Sequence, residues 1–165
     1  MTHAVDYEAL VAASGDAVIL SDVEGLVRVW NPAAERMFGF TAAEALGQSL
    51  DMIIPERHRK RHWDQYAKTM ATGVTKYGHE LLKVPGLHKT GQTMSIAFTV
   101  GMTFGPDGAV TGVLAVVRDE TARFAEDREL KRRLAELEAK PSMEAKPSIE
   151  AKPSIETKPR VEPTT

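Results

Sequence analysis

Apolar positions along the chain alternate in short runs, recur at helical spacing through the middle, and then alternate again. AVILS (Ala17 to Ser21) and VRVW (Val27 to Trp30) have strand length and β-branched content, and Asp22-Val23-Glu24-Gly25 between them is turn chemistry. Ahead of them, Asp6 to Ala13 predicts a short amphipathic helix. After Trp30, Asn31-Pro32-Ala33-Ala34-Glu35 starts another. Asparagine suits the N-cap, and proline suits the first helical position, where its missing N–H would go unpaired anyway. Gly39 ends that helix. Thr41-Ala42-Ala43-Glu44 is a capping box for the next one, which Gly47 ends. Pro55 opens a longer helix running to Ala71, closed by Gly73. Three extended segments follow: Tyr77 to Val84, Thr93 to Met102 and Ala109 to Val117. Lys89-Thr90-Gly91-Gln92 and Gly105-Pro106-Asp107-Gly108 link them as hairpins. Asp119 can cap a last, charged helix from Glu120 to Ala139.

Two strands, several short helices and three strands predict an α+β fold, a five-stranded antiparallel sheet with helices over one face and a pocket between them. Trp30 and Phe38 are expected in the core, with Met37, Met70, Met94 and Met102 as core or pocket fillers. His88 falls in a turn and is expected to be exposed.

The pattern stops at Glu138. From there the chain reads EAKPSM, EAKPSI, EAKPSI, ETKPRV, units that start at Glu138, Glu144, Glu150 and Glu156. A proline in every unit breaks helices, and one apolar residue per unit cannot build a core, so a disordered, partly polyproline-II tail is expected.

Composition changes this picture in three places. With 21 Lys and Arg against 23 Asp and Glu, the net charge is −2, which argues against a cationic surface for nucleic acid. No apolar run approaches the roughly 20 residues of a membrane span, and Met1 to Leu10 lacks the pattern of a secretory signal, so a soluble cytoplasmic protein is expected. Among 165 residues there is no cysteine, which excludes disulfides, thiol catalysis and thiolate-bound metal.

Two stretches carry a family resemblance. DAVILSDVEGLVRVWNPAAERMFGFTAAEALGQ (Asp16 to Gln48) holds an Asp-x-x-Gly turn, an Asn-x-x-Ala-Glu-x-x-Phe-Gly helix and a Thr-x-x-Glu-x-x-Gly box. GAVTGVLAVVRDET (Gly108 to Thr121) ends in an Arg-Asp-x-Thr signature, here Arg118, Asp119 and Thr121. Together they resemble the two ends of a PAS domain. The resemblance implies a sensor domain over residues 1–121 with an N-terminal cap helix, a signalling and dimerisation helix over 122–138, and a tail over 139–165. PAS domains sense a ligand or pair with partners and pass the result along the C-terminal helix. Their flavin-adduct photosensors need a cysteine that this chain lacks.

The long helix reads PERHRKRHWDQYAKTMATG, with His58 and His62 four apart on one face. In haem PAS sensors the axial histidine follows a Pro-Glu-like helix start by seven residues, and His62 follows Pro55 by seven. The resemblance therefore implies haem b with His62 as axial iron ligand, a role that suits a neutral imidazole. It implies a pocket lined by Tyr66, Tyr77, Leu82, Phe98 and Val100, with His79 as a possible second axial ligand. The chain departs from the family in places. Gln65 stands where a tyrosine is frequent, with Tyr66 one later; Leu82 replaces a distal arginine, and Glu80 a distal methionine. Such an apolar distal side would favour carbon monoxide or nitric oxide. Two alternatives stay open: a cofactor-free domain in which Arg57 to Arg61 is a solvated helix face able to attract an acidic partner, and zinc held by His58 and His62.

Leu130, Leu134 and Leu137 of the last helix have heptad spacing, and Glu129–Arg133, Asp127–Lys131 and Glu136–Lys140 are favourable i, i+4 pairs. With Phe124 and the N-terminal helix they suggest a homodimer. No phosphate loop, nucleophile–base pair or carboxylate pair stands out, so no enzyme is expected. Two functions remain: a haem-based gas or redox sensor, and a cofactor-free interaction module for a kinase or transcription factor. Either would act through a separate signalling protein, without nucleic acid or membrane.

Overall fold

The computed structural model describes residues 4–139, so the expected repeat tail lies outside the described residues. Helix α1 (Tyr7–Ala13) is capped by Asp6, whose carboxylate accepts the Ala9 amide at 3.0 Å. Strands β1 (Ala17–Asp22) and β2 (Val27–Trp30) pair antiparallel. Helix α2 (Pro32–Phe38) starts on the Asn31 cap with proline at its first position and stops at Gly39, which takes a left-handed conformation. Helix α3 (Ala42–Ala45) carries the full Thr41–Glu44 capping box. A single 3-10 turn, Leu50–Ile53, was not foreseen; Ser49 caps it by accepting the Asp51 amide. Helix α4 (Glu56–Thr72) ends at Gly73. Then come β3 (Leu82–Leu87), β4 (Thr93–Phe104), β5 (Val110–Asp119) and helix α5 (Thr121–Glu138).

All five strands form one antiparallel sheet in the order β2-β1-β5-β4-β3, with the last strand beside the first. The fold is therefore the expected five-stranded α+β sheet. One boundary is corrected. Tyr77 to Glu80 is a turn rather than strand, because Gly78 takes a positive φ and breaks the extended run. Strand β3 starts at Leu82 and runs through Pro85, which cannot donate to a ladder and is tolerated because β3 is an edge strand.

The core lies between one face of the sheet and helices α2 to α4. Ala17, Ile19, Ile96 and Val117 meet Val27, Trp30, Ala34, Phe38, Leu50, Ile53 and Tyr66 there. Phe38 and Val27 are fully buried, and the rings of Trp30 and Phe38 lie 5.5 Å apart. Asn31 does more than cap α2. Its side-chain oxygen accepts the amides of Val18 (2.9 Å) and Ala34 (3.0 Å), and its nitrogen donates to the carbonyls of Val11 (3.1 Å) and Asp16 (3.0 Å). One buried side chain thereby ties α1, β1 and α2 together, with its amide oxygen and both amide hydrogens in use. His88 departs from expectation: it is half-buried, its ring packed against Gly39 and hydrogen-bonded to Thr90 Oγ1 at 2.9 Å.

Candidate functional site

The inward face of α4 is built from three aromatic side chains within about one helical turn. His62, Trp63 and Tyr66 form a cluster in which the His62 ring meets Trp63 edge-on at 4.9 Å and Tyr66 at 5.7 Å. The Tyr66 hydroxyl donates to the Asp22 carbonyl and accepts from the Ser21 hydroxyl at 2.9 Å, so this side chain spans the interior from α4 to β1. The Trp63 indole N–H donates to Asp51 Oδ1 at 2.8 Å, and its six-membered ring lies over Gly25. A β-carbon at Gly25 would stand 2.3 Å from that ring, and φ there is +80°, so both space and backbone require glycine in the β1–β2 turn. The same turn is organised by Asp22, whose carboxylate accepts the amides of Glu24 and Leu26 and pairs with Arg28.

Within this cluster the His62 Nδ1 atom is buried and has no hydrogen-bond partner among the described residues. Burial holds the imidazole below the usual histidine range, against a weaker upward pull from the Asp51 carboxylate. The ring is thus neutral at physiological pH, with the lone pair on one of its two nitrogens. Burial likewise raises the Tyr66 phenol, which the Ser21 hydrogen bond only partly offsets, so it stays protonated.

The other residues expected at this site are placed differently from one another. Phe98 is paired with Leu82 across β3 and β4 and with Val117 on β5, and Val100 is paired with Ala115. In antiparallel strands paired residues share a face, so Leu82, Phe98 and Val100 lie on the core face of the sheet together. Tyr77 is half-buried in the turn after α4. His79 is exposed in that same turn and does not join the α4 cluster. His58 accepts from the Arg57 guanidinium at 3.0 Å, and among the described residues no group of three or more His, Asp or Glu comes together in a form that could hold a metal ion. The basic run is divided: Arg59 donates to the carbonyls of Asp51 and Ile54, Lys60 pairs with Asp64, and Arg57 and Arg61 face solvent.

Sequence reasoning missed Trp63, Ser21 and Asp51. The one signal was a tryptophan inside a charged run, a residue too large and apolar to be left in water. The Arg-Asp-x-Thr signature forms the junction to α5. Arg118 makes a two-pronged ion pair with Asp16 at 2.8–2.9 Å, Asp119 Oδ1 accepts the Thr121 amide at 2.8 Å, and Ser95 is bonded on both sides, its amide to Thr121 Oγ1 and its carbonyl to the Glu120 amide.

Comparison with known proteins agrees with this architecture. The family model described as the PAS fold matches residues 6–119. "Sensor protein FixL" of Bradyrhizobium diazoefficiens is 32% identical over 127 residues, which are 76% of this chain and 24% of that protein. "Signal transduction histidine-protein kinase AtoS" of Escherichia coli is 27% identical over 129 residues, 78% of this chain and 19% of the relative. The chain therefore spans a quarter or less of the length of these two relatives. Among solved structures, the PAS domain of a Colwellia psychrerythraea protein superposes with a TM-score of 0.61 at 22% identity, covering 70% of this chain and 95% of that one. The PAS domain of Bordetella pertussis BvgS gives 0.56 at 20% identity, covering 80% and 93%. Among the described residues no helix is long and apolar enough to cross a membrane.

Proposed function

Because the chain belongs to the PAS family, we propose that it is a sensory signal-transduction module that holds haem through His62 and reports to a separate signalling protein along α5. One observation carries the cofactor reading: a buried imidazole nitrogen without a partner, on a ring kept neutral by burial, in a core that is otherwise apolar or satisfied. An unpaired buried nitrogen is costly, and an axial metal bond is a use that fits its chemistry. Leu82, Phe98 and Val100 would form the apolar wall facing α4, and Tyr66 and Trp63 would orient the helix. Bound haem would supply an iron centre that responds to a diatomic gas or to redox state. In this reading the chain catalyses no reaction, and its output depends on a partner.

The test is spectroscopic. Expressed with a haem precursor, the full chain is expected to show a Soret band that His62→Ala abolishes or shifts. A parent without the band, or a mutant with an unchanged one, overturns the assignment. His62→Gln, which keeps a polar side chain, separates loss of the ligand from loss of fold when far-UV circular dichroism is recorded alongside.

A second reading has its own support. Tyr66 already crosses the interior and satisfies Ser21 and the Asp22 carbonyl, as in a domain whose core is complete without a cofactor. Exposed Val5, Tyr7 and Leu10 around α1 and Phe124, Leu130, Leu134 and Leu137 on α5 leave apolar surface for another protein. On that basis the chain is a homodimeric interaction module acting on a kinase or transcription factor. Homodimerisation is common to both readings.

A further inference from the structure

Helix α4 has two faces, and the outward one is charged in the sense that a helix tolerates least. Its inward side packs Trp63, Tyr66 and Met70 against the core. On the opposite side Arg57, Lys60, Arg61, Asp64 and Lys68 fall on a single stripe, and all five are exposed. At a rise of about 1.5 Å per residue the stripe is about 16 Å long. The helix carries five Lys and Arg against two Asp and Glu, in a chain whose net charge is −2.

Free backbone N–H groups give the start of a helix a partial positive charge, so cations there are unfavourable and cations in the last turn are favourable. Here Arg57 stands in the first turn, Lys60 and Arg61 follow at once, and the last turn holds no cation. Nothing inside the domain compensates. Among the described residues Arg57, Arg61 and Lys68 make no ion pair, and Arg57 donates to its neighbour His58 at 3.0 Å. Arg59, in the same run, shows what an arginine with an internal task looks like. It donates to the carbonyls of Ile54 and Asp51, each at 3.1 Å. Away from α4, Arg28 pairs with Asp22, Lys89 with Glu44 and Arg118 with Asp16. Charges that weaken their own helix and gain no partner within the domain point to a partner outside it.

We infer that the outward stripe of α4 docks an acidic segment of another protein, with carboxylates over Arg57, Arg61 and Lys68. Carboxylates placed there meet guanidinium forks and, near Arg57, the positive end of the helix as well. Ala67, Ala71 and Thr72 around Lys68 are small and exposed, so a partner backbone can come close. Two features favour a protein over a nucleic-acid strand or a lipid surface. Asp64 stands in the middle of the stripe, paired with Lys60 at 2.9 Å, and interrupts it for a uniform run of phosphates; a protein can set a donor opposite it. No large apolar side chain of α4 is exposed beside the cations to enter a bilayer. This surface goes beyond the sensor reading and needs neither haem nor a second copy of the chain.

The probe is a dye-labelled peptide about 16 residues long, with glutamate at every fourth position and alanine between, which matches the spacing of Arg57 and Arg61. Its counterpart with lysine in place of glutamate is the control, and the full chain is titrated into each while fluorescence anisotropy is read. The glutamate peptide is expected to bind at low salt and about tenfold more weakly at about 0.15 M salt, and the lysine peptide not to bind. Arg57→Glu with Arg61→Glu is expected to weaken binding at least about tenfold. Arg128→Glu with Lys131→Glu changes the net charge equally on α5 and is expected to leave binding unchanged. Equal loss in the two double variants, or a parent that does not bind, overturns the inference. Tighter binding of a single-stranded oligonucleotide or of phosphatidylserine vesicles than of the peptide overturns it as well. Stability gives a second readout. Glutamate suits the start of a helix, so Arg57→Glu with Arg61→Glu is expected to raise the urea midpoint. A lowered midpoint would show that the two arginines serve the fold, and the docking role falls with it.

Discussion

The junction around Asn31 and the helix α5 show two opposite ways for a segment to be held. Around Asn31, every polar atom of a buried side chain is bonded, and Phe38, Val27 and Ala34 nearby are shielded from water by the same chain. Along α5, eighteen residues are anchored at the base through Ser95, Thr121 and Asp119, and three leucines face solvent. The first region is finished by folding. The second leaves its apolar side chains in water within the single chain.

Mutations can break this contrast at either end. Phe38→Ala removes a fully buried ring from the centre of the core and is expected to cost about 3–5 kcal/mol in urea unfolding; a loss below about 1 kcal/mol would mean that the site is loosely packed. Asn31→Ala leaves the Val18 amide and the Val11 and Asp16 carbonyls without their partner, for an expected loss of about 2–4 kcal/mol, measured in the same way.

A smaller, pH-dependent effect belongs to His62. Its folded-state pKa lies below the unfolded value of about 6.5, so the unfolded chain binds the proton more readily. Stability is therefore full above that unfolded value and falls as pH drops from it toward the folded pKa. His62→Phe should flatten this part of the urea midpoint against pH, and an equal slope in parent and variant would place the titration elsewhere. The smallest effect on the single chain is expected at Leu134→Ala. Unfolding under dilute, monomeric conditions should change by no more than about 0.5 kcal/mol, while the dimer dissociation constant rises. A large loss in the monomer would show that α5 packs on its own domain after all.

The legible parts of this molecule were those governed by neighbours in sequence. Caps at Asn31 and Thr41, stops at Gly39 and Gly73, and the hairpins at Gly91 and Gly108 depend on a few adjacent residues, and each is present as read. Tyr77 to Val84 misled because only its end, from Leu82, is strand, while Gly78 breaks the extended run through its backbone rather than its pattern. His88 looked exposed because a turn usually is, but this hairpin folds back against Gly39. At the candidate site, His62 was singled out by the resemblance to haem PAS sensors. Trp63 was not, because its partners Gly25 and Asp51 lie far away along the chain.

By itself, then, the sequence determined the element order, the sheet class, the missing thiol chemistry and the leucine spacing of α5, since each follows from local propensity or from which atoms are present at all. Only the tertiary structure decided that Tyr66 reaches Ser21, that Asn31 joins three elements, that His79 stays apart from His62, and that one buried nitrogen of His62 is left without a partner among the described residues. Those facts depend on which distant segments meet and on which polar groups are thereby taken out of water.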